Sequence, residues 1–185
     1  MFELERFIER CRAAVADGSG QPAVREIVAE AVRAPGEVLR ALGEPQRAGL
    51  NTILRSPDLT ILNLVWGPWM TLRPHDHRMW AVIGIYTGRE DNIFWKRTSS
   101  GPAGSIEAAG AKALGEKDAV PLGRDIIHSV TNPIPRLTGA IHVYGGDFFG
   151  AARSEWDPEH LAEEPYDVER TLRTFEESNR MFPRS

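Results

Sequence analysis

The chain carries five histidines, at positions 75, 77, 128, 142 and 160, and the spacing of the first two is its strongest chemical signal. In His75-Asp76-His77 the imidazoles recur with a period of two. Residues two apart on an extended chain project from one face. Two imidazoles so placed converge on one point, as a metal ion requires. Pro74 disfavours helix at Arg73 and helps keep the entry to this segment extended. An apolar stretch, 80–86, follows at once, so the pair stands at a strand edge over a core. Alone, an H-x-H is equally compatible with a solvated surface pair. His128 changes the balance. It lies in Asp125-Ile126-Ile127-His128-Ser129-Val130, again a short strand next to a turn. In an antiparallel barrel that strand can lie beside the His75 strand and deliver a third imidazole. Ligation by His75, His77 and His128 is therefore the expectation. Neutral imidazoles suit Fe(II), Zn, Cu or Ni, so ligand type does not choose the metal.

These side chains need a scaffold, and the pattern around them describes one. Residues 1–46 read as helical: Leu4, Phe7, Ile8, Cys11 and Val15 fall on one face, and Val24, Ile27, Val28, Ala31 and Val32 on a second. Pro22 and Pro35 suit first turns, and Gly43 is a natural stop. Cys11 sits on the apolar stripe as a small core residue. After Gly49 the chain breaks into short apolar, β-branched and aromatic runs at 59–66, 80–86, 92–97, 119–122, 126–130 and 137–144. Turn clusters at 56–58, 87–88, 99–102, 123–125 and 132–133 separate them. Many short strands at this spacing predict a sandwich or barrel. Gly88-Arg89-Glu90-Asp91-Asn92 reads as a turn, from which Glu90 could also reach the metal site. Residues 151–185 read as a charged, partly helical tail with a helix start at Asp157-Pro158-Glu159. The expected organisation is a single domain over 1–185: a helical extension at 1–49, a β-barrel at 50–150 and the tail at 151–185.

Composition narrows the function classes. The 185 residues carry a net charge of −4 with both signs interspersed, and no basic block signals nucleic acid or a membrane surface. No apolar run approaches the roughly 20 residues needed to span a bilayer. The acidic, polar N-terminus does not read as a signal peptide. The single cysteine excludes an internal disulfide and fits a reducing compartment. A soluble, cytoplasmic protein is expected, monomeric or homodimeric, with no nucleic-acid or membrane partner.

The sequence of motifs then carries a resemblance. Pro74-His75-Asp76-His77, an apolar strand ending at Gly88, Ile127-His128-Ser129-Val130 and Ile141-His142-Val143-Tyr144 together resemble the cupin superfamily, and within it the cysteine dioxygenase-type (thiol dioxygenase) branch, over roughly residues 50–150. The resemblance implies a mainly β fold: a cupin jelly-roll barrel (double-stranded β-helix) with N-terminal helices and a short C-terminal helical tail. It implies an oxidoreductase, a non-heme Fe(II)-dependent dioxygenase whose partners are O2 and a small thiol or related anionic substrate. His75, His77 and His128 take the places of the iron ligands. The acid that usually follows H-x-H in cupins is absent from Arg78-Met79-Trp80-Ala81-Val82, as in thiol dioxygenases. His142 and Tyr144 match the family's outer histidine and active-site tyrosine, both with catalytic roles. Cys11, in a helix, can form no cross-link to that tyrosine. The family's carboxylate-binding arginine on an early strand has no counterpart around Leu50-Asn51-Thr52-Ile53. Arg73, two residues before His75, and Arg55 are the candidate replacements, with Trp80 as a further substrate-side residue. Trp66 and Trp69 are candidate walls, and Arg153 and Trp156 candidate closures of one barrel mouth. Other metal-dependent cupin enzymes (a dioxygenase of a different substrate, an isomerase) and a non-catalytic ligand-binding cupin remain open.

Overall fold

A computed structural model describes residues 1–99 and 102–183. The N-terminal apolar stripes form three helices, α1 (Leu4–Ala16), α2 (Gly20–Val32) and α3 (Pro35–Leu42). Pro35 opens α3 and Gly43, at φ 84°, closes it. Nine strands follow: β1 (Gly49–Arg55), β2 (Thr60–Trp66), β3 (Thr71–Asp76), β4 (Ala81–Thr87), β5 (Arg89–Arg97), β6 (Ile106–Gly115), β7 (Ala119–Leu122), β8 (Ile127–Thr131) and β9 (Thr138–Tyr144). Two short strands, β10 (Ser154–Trp156) and β11 (Glu163–Pro165), precede the last helix, α4 (Val168–Met181). Ser100 and Gly101 lie outside the described residues, so the turn expected at 99–102 is described only at its ends.

The strands form two antiparallel sheets, ordered β1-β2-β9-β4-β7 and β11-β10-β3-β8-β5-β6. Within them β2-β9-β4-β7 faces β3-β8-β5-β6, the eight-strand interleaving of a jelly roll, or double-stranded β-helix. The first sheet is covered on both sides, which is why β2, β4 and β9 read as nearly continuous apolar runs. Alternate residues go to different cores. Ala140 and Tyr144 join Leu62, Leu64, Ile83 and Ile85 inside the barrel. Ile141 and Val143 join Val82 and Tyr86 on the outer face, against Val24, Val28 and Val32 of α2. No helix of the described residues is long and apolar enough to cross a membrane.

Gly84 marks the closest approach of α2 to the sheet. A Cβ there would stand 2.4 Å from Val28 Cγ1 and 2.9 Å from Val32 Cγ1. Gly84→Ala is expected to destabilise the protein by about 1–3 kcal/mol through overpacking. The change should appear as a lower urea midpoint with an unchanged slope.

Three local expectations are corrected. Only Gly88, at φ 85°, forms the turn before β5, because a Cβ there would meet Thr138 Oγ1 at 2.2 Å. Arg89–Asn92 already belongs to β5, paired with both β6 and β8. Asp157-Pro158-Glu159 starts no helix: Asp157 Oδ1 accepts the backbone N–H groups of Glu159 and His160, and the resulting turn joins β10 to β11. The tail thus adds two strands to the sheet before α4 begins at Val168, capped by the Asp167 side chain. Finally, β6 carries no strand signal. Its sequence, Ile-Glu-Ala-Ala-Gly-Ala-Lys-Ala-Leu-Gly, is poor in β-formers, and pairing with β5 at the sheet edge makes it a strand.

Candidate metal centre

Strand pairing brings the distant histidines together. β3 and β8 run antiparallel with His75 directly opposite His128. His77 follows the last residue of β3, just before Arg78 turns the chain at φ 56°. The three are buried, 5%, 2% and 1% exposed. Their ligand nitrogens all lie within 4.8 Å of one another. His77 Nε2 and His128 Nε2 approach to 3.2 Å, so two ring nitrogens address one point. His75 Nδ1–H donates to the Arg73 carbonyl at 2.9 Å, and His128 Nδ1–H donates to Asn92 Oδ1 at 2.6 Å. Each bond fixes the proton on Nδ1 and leaves Nε2 free as a ligand, the arrangement metal-binding histidines adopt. The residues present therefore fit a divalent ion with a preference for nitrogen donors.

The electrostatics agree. Burial pushes His75 down to about 4, and the positive charge of Arg153 adds to the shift. Burial, then repulsion from the neighbouring imidazoles, holds His77 well below the usual histidine range; His128 follows for the same reasons. Three neutral imidazoles are thus available at neutral pH. In the unfolded chain histidine takes up a proton near 6.5. The unfolded state therefore binds more protons than the ion-free folded state below that pH, and folding weakens as pH falls from about 6.5 toward 4. Each buried imidazole contributes up to ~1.4 kcal/mol per pH unit in that window. Urea melts of chelator-treated protein between pH 7.5 and 5 are expected to show this loss; a flat profile would mean the imidazoles are hydrated.

The cavity beside the histidines is narrow. Its free volume is about 20 Å³, little more than one water needs. Leu50, Leu64, Leu72, Val130, Phe148 and Phe175 give it apolar walls. Trp66 lines it too, stacked on Phe175 with ring centroids 5.5 Å apart. Tyr144 lines it with its ring edge-on to His77. Burial pushes the Tyr144 hydroxyl far above its ordinary value, so it keeps its proton. His142 Nδ1 lies 3.0 Å from that hydroxyl, and His142 Nε2 lies 3.2 Å from Glu90 Oε2.

The other expected residues scatter. Arg73 does not share the histidine face. The β3–β8 pairing slips by one residue between Leu72 and His75, so Leu72 rather than Arg73 points into the cavity. Arg73 turns outward to Glu155 and Glu164, at 3.4 Å from each. Arg55 pairs with Asp147 through two bonds of 2.8 and 2.9 Å on the surface. Trp80 lies on the outer face of the first sheet, where its ring fills the space above Gly145. Trp69 is 56% exposed, and Trp156 packs with Ile106 and Ile127 away from the cavity. Glu90 is fully buried but stands behind His142 rather than among the ligating group.

Arg153 is the residue whose place the sequence left undecided. It is only 7% exposed. Its guanidinium packs on the rings of Tyr166 and Phe148, 3.4 and 4.2 Å from their centroids, and both rings line the cavity. Nη1 donates to the Asp76 carbonyl, whereas Nη2 is buried with no hydrogen-bond partner among the described residues. Its charge adds to the lowering of all three clustered histidines and opposes the rise that burial causes at Tyr144. Nothing local marks this arginine, and the carboxylates that neutralise Arg73 likewise come from a distant segment, Glu155 and Glu164.

No protein-family model matches the chain. Solved structures with a partial likeness include an RmlC-like cupin family protein with a double-stranded β-helix fold from Methanocaldococcus jannaschii, 9% identical over 58% of this chain and 87% of that one, with a TM-score of 0.47. A Bacillus halodurans protein is 12% identical over 70% of this chain and 83% of its own, with a TM-score of 0.49. Oxalate decarboxylase from Bacillus subtilis is 16% identical over 52% of this chain and 22% of its own, with a TM-score of 0.40. At such scores none of them carries a functional argument. Topology and site by themselves define a jelly-roll barrel with a buried three-histidine group on its inner wall.

Proposed function

We propose that the protein is an Fe(II)-dependent dioxygenase that adds O2 to a small thiol bearing a second, anionic group. The observation that carries this reading is a neutral three-imidazole cluster beside a buried guanidinium that no carboxylate among the described residues neutralises. Three neutral donors leave the charge of a divalent ion uncompensated, and Arg153 adds another positive charge nearby. Both favour an anionic ligand, and a thiolate with a carboxylate matches the pair. When bound by His75, His77 and His128, Fe(II) supplies the redox chemistry by which both atoms of O2 are added to sulfur.

The chain's own residues supply binding and orientation. Arg153 stands behind the cavity-lining rings of Phe148 and Tyr166, which fix the guanidinium plane, and its Nη2 carries an unused N–H that would meet the anionic group once Tyr166 gives way. The protonated Tyr144 hydroxyl provides a hydrogen-bonding group on the cavity wall, held by His142. The apolar walls exclude water from the reaction. Because the cavity is so narrow, a substrate must enter by displacing lining side chains, of which Tyr166 is only partly buried.

The test is elemental analysis of protein purified without added metal, followed by oxygen uptake with small thiols that carry or lack a carboxylate. Stoichiometric iron and uptake with a carboxylated thiol, yielding a product that has gained both oxygen atoms, are expected. Full iron loading with no uptake from any thiol would overturn the substrate class, and zinc in place of iron would overturn the redox chemistry.

A further inference from the structure

A continuous hydrogen-bonded chain links the cavity tyrosine back to a metal ligand, and one carboxylate sits at its centre. From the cavity outward it runs Tyr144, His142, Glu90, Asn92, His128. Glu90, Asn92 and His142 are 0%, 1% and 2% exposed, so no water takes over a missing partner. Glu90 and Asn92 are two apart on β5 and share its inner face. Asn92 reaches His128 diagonally, since His128 pairs directly with Phe94. Trp66 Nε1 joins at the centre, donating to Glu90 Oε2 at 2.8 Å.

Each joint has a direction, and the directions are not free. An indole N–H only donates, and an ionised carboxylate only accepts. As a carboxylate, Glu90 takes N–H groups from Trp66, from Asn92 Nδ2 at 3.0 Å and, with the proton of His142 on Nε2, from that nitrogen at 3.2 Å. With its amide nitrogen held by Glu90, Asn92 must turn its oxygen to His128. That oxygen requires the proton of His128 on Nδ1, which leaves Nε2 for the metal. On the other arm, a proton on His142 Nε2 turns Nδ1 toward the Tyr144 hydroxyl. We infer that Glu90 is a positioning residue that sets the ligating tautomer of His128 through Asn92 and, at the same time, the orientation of Tyr144 through His142. For His128 the inference rests on the metal-centre reading above; the tautomers themselves do not.

Glu90→Gln tests the direction of the bonds at constant size. Trp66 obliges the introduced amide to keep its oxygen toward Trp66 and His142, so its NH2 group meets the Asn92 NH2. Asn92 must then flip, and its amide nitrogen opposes the His128 Nδ1–H. Metal affinity is expected to fall about 10–100-fold, the usual cost of losing an outer partner of a ligand. The long-range 1H–15N spectrum of the ion-free variant should show His128 shifted away from its Nδ1–H form. Adding Asn92→Asp to Glu90→Gln restores every joint, because the new carboxylate accepts from both the introduced amide and His128. The double variant should regain most of the affinity and the wild-type His128 signal. Wild-type affinity and tautomer in Glu90→Gln would overturn the inference, since a space-filling role predicts that result. A double variant no better than Glu90→Gln would overturn it equally. If Glu90→Gln does not fold, recovery of folded protein in the double variant supports the inference and failure of both overturns it. Should the wild type bind no ion while the His128 tautomer responds as described, the inference stands and the metal-centre reading falls.

Discussion

His75→Ala is expected to abolish tight metal binding while leaving the barrel folded. His75 stands opposite His128 in the β3–β8 ladder, and its backbone position is held by strand pairing, not by the imidazole. Removing the ring deletes one of three nitrogen donors and leaves two, too few to hold a divalent ion against water or a chelator. The loss in affinity should be on the order of 10³-fold or more, above the 10–100-fold that outer partners command. A small cavity is left where the ring was, so some thermal stability is lost as well, but the far-ultraviolet spectrum should be unchanged. Elemental analysis after dialysis against a mild chelator reads the result. The exposed His160, hydrogen-bonded among the described residues to Asp157 of the β10–β11 turn, serves as a control whose alanine variant keeps full occupancy. Stoichiometric iron retained by His75→Ala would remove the three-histidine centre from consideration.

Arg153→Met should separate substrate recognition from chemistry. Methionine preserves an unbranched apolar stem against Phe148 and Tyr166 and removes the charge. For a thiol carrying a carboxylate, losing a buried charged partner is expected to cost about 2–5 kcal/mol, a fall of roughly 30- to 5,000-fold in kcat/KM. Most of it should appear in KM, because a carboxylate remote from sulfur binds alike in ground and transition states. A thiol without the carboxylate should be turned over at nearly the wild-type rate. The same substitution should leave stability unchanged or raise it, since a buried guanidinium with an unsatisfied Nη2 is unfavourable in the free protein. An equal loss with both thiols, or none with either, would exclude Arg153 from substrate binding.

Much of the site was legible because its signals are local. The period of two in His75-Asp76-His77 and in His142-Val143-Tyr144 is a property of any extended chain, and it places each pair on one face wherever the strand ends up. The apolar runs of β2, β4, β8 and β9 were long enough to be recognised before any pairing was known. The helical stripes of α1 and α2 were equally plain, because a period near 3.6 needs only the helix itself. The third imidazole of the cluster, His128, followed once a barrel was expected.

What only the tertiary structure decided concerns pairing and neighbours. Arg73 lies at the right spacing to share the face of His75, yet one slipped residue against β8 turns it to Glu155 and Glu164. Glu90 and Asn92 lie in a polar run that reads as a turn, and became inner-wall residues only when β6 and β8 paired on either side of β5. Arg153 resembles many other arginines in the sequence. It differs from Arg55, Arg73 and Arg170 in that no carboxylate among the described residues arrives beside it when the chain closes. Periodicity is carried by consecutive residues and survives in the linear sequence, whereas register and charge compensation depend on which distant segments meet.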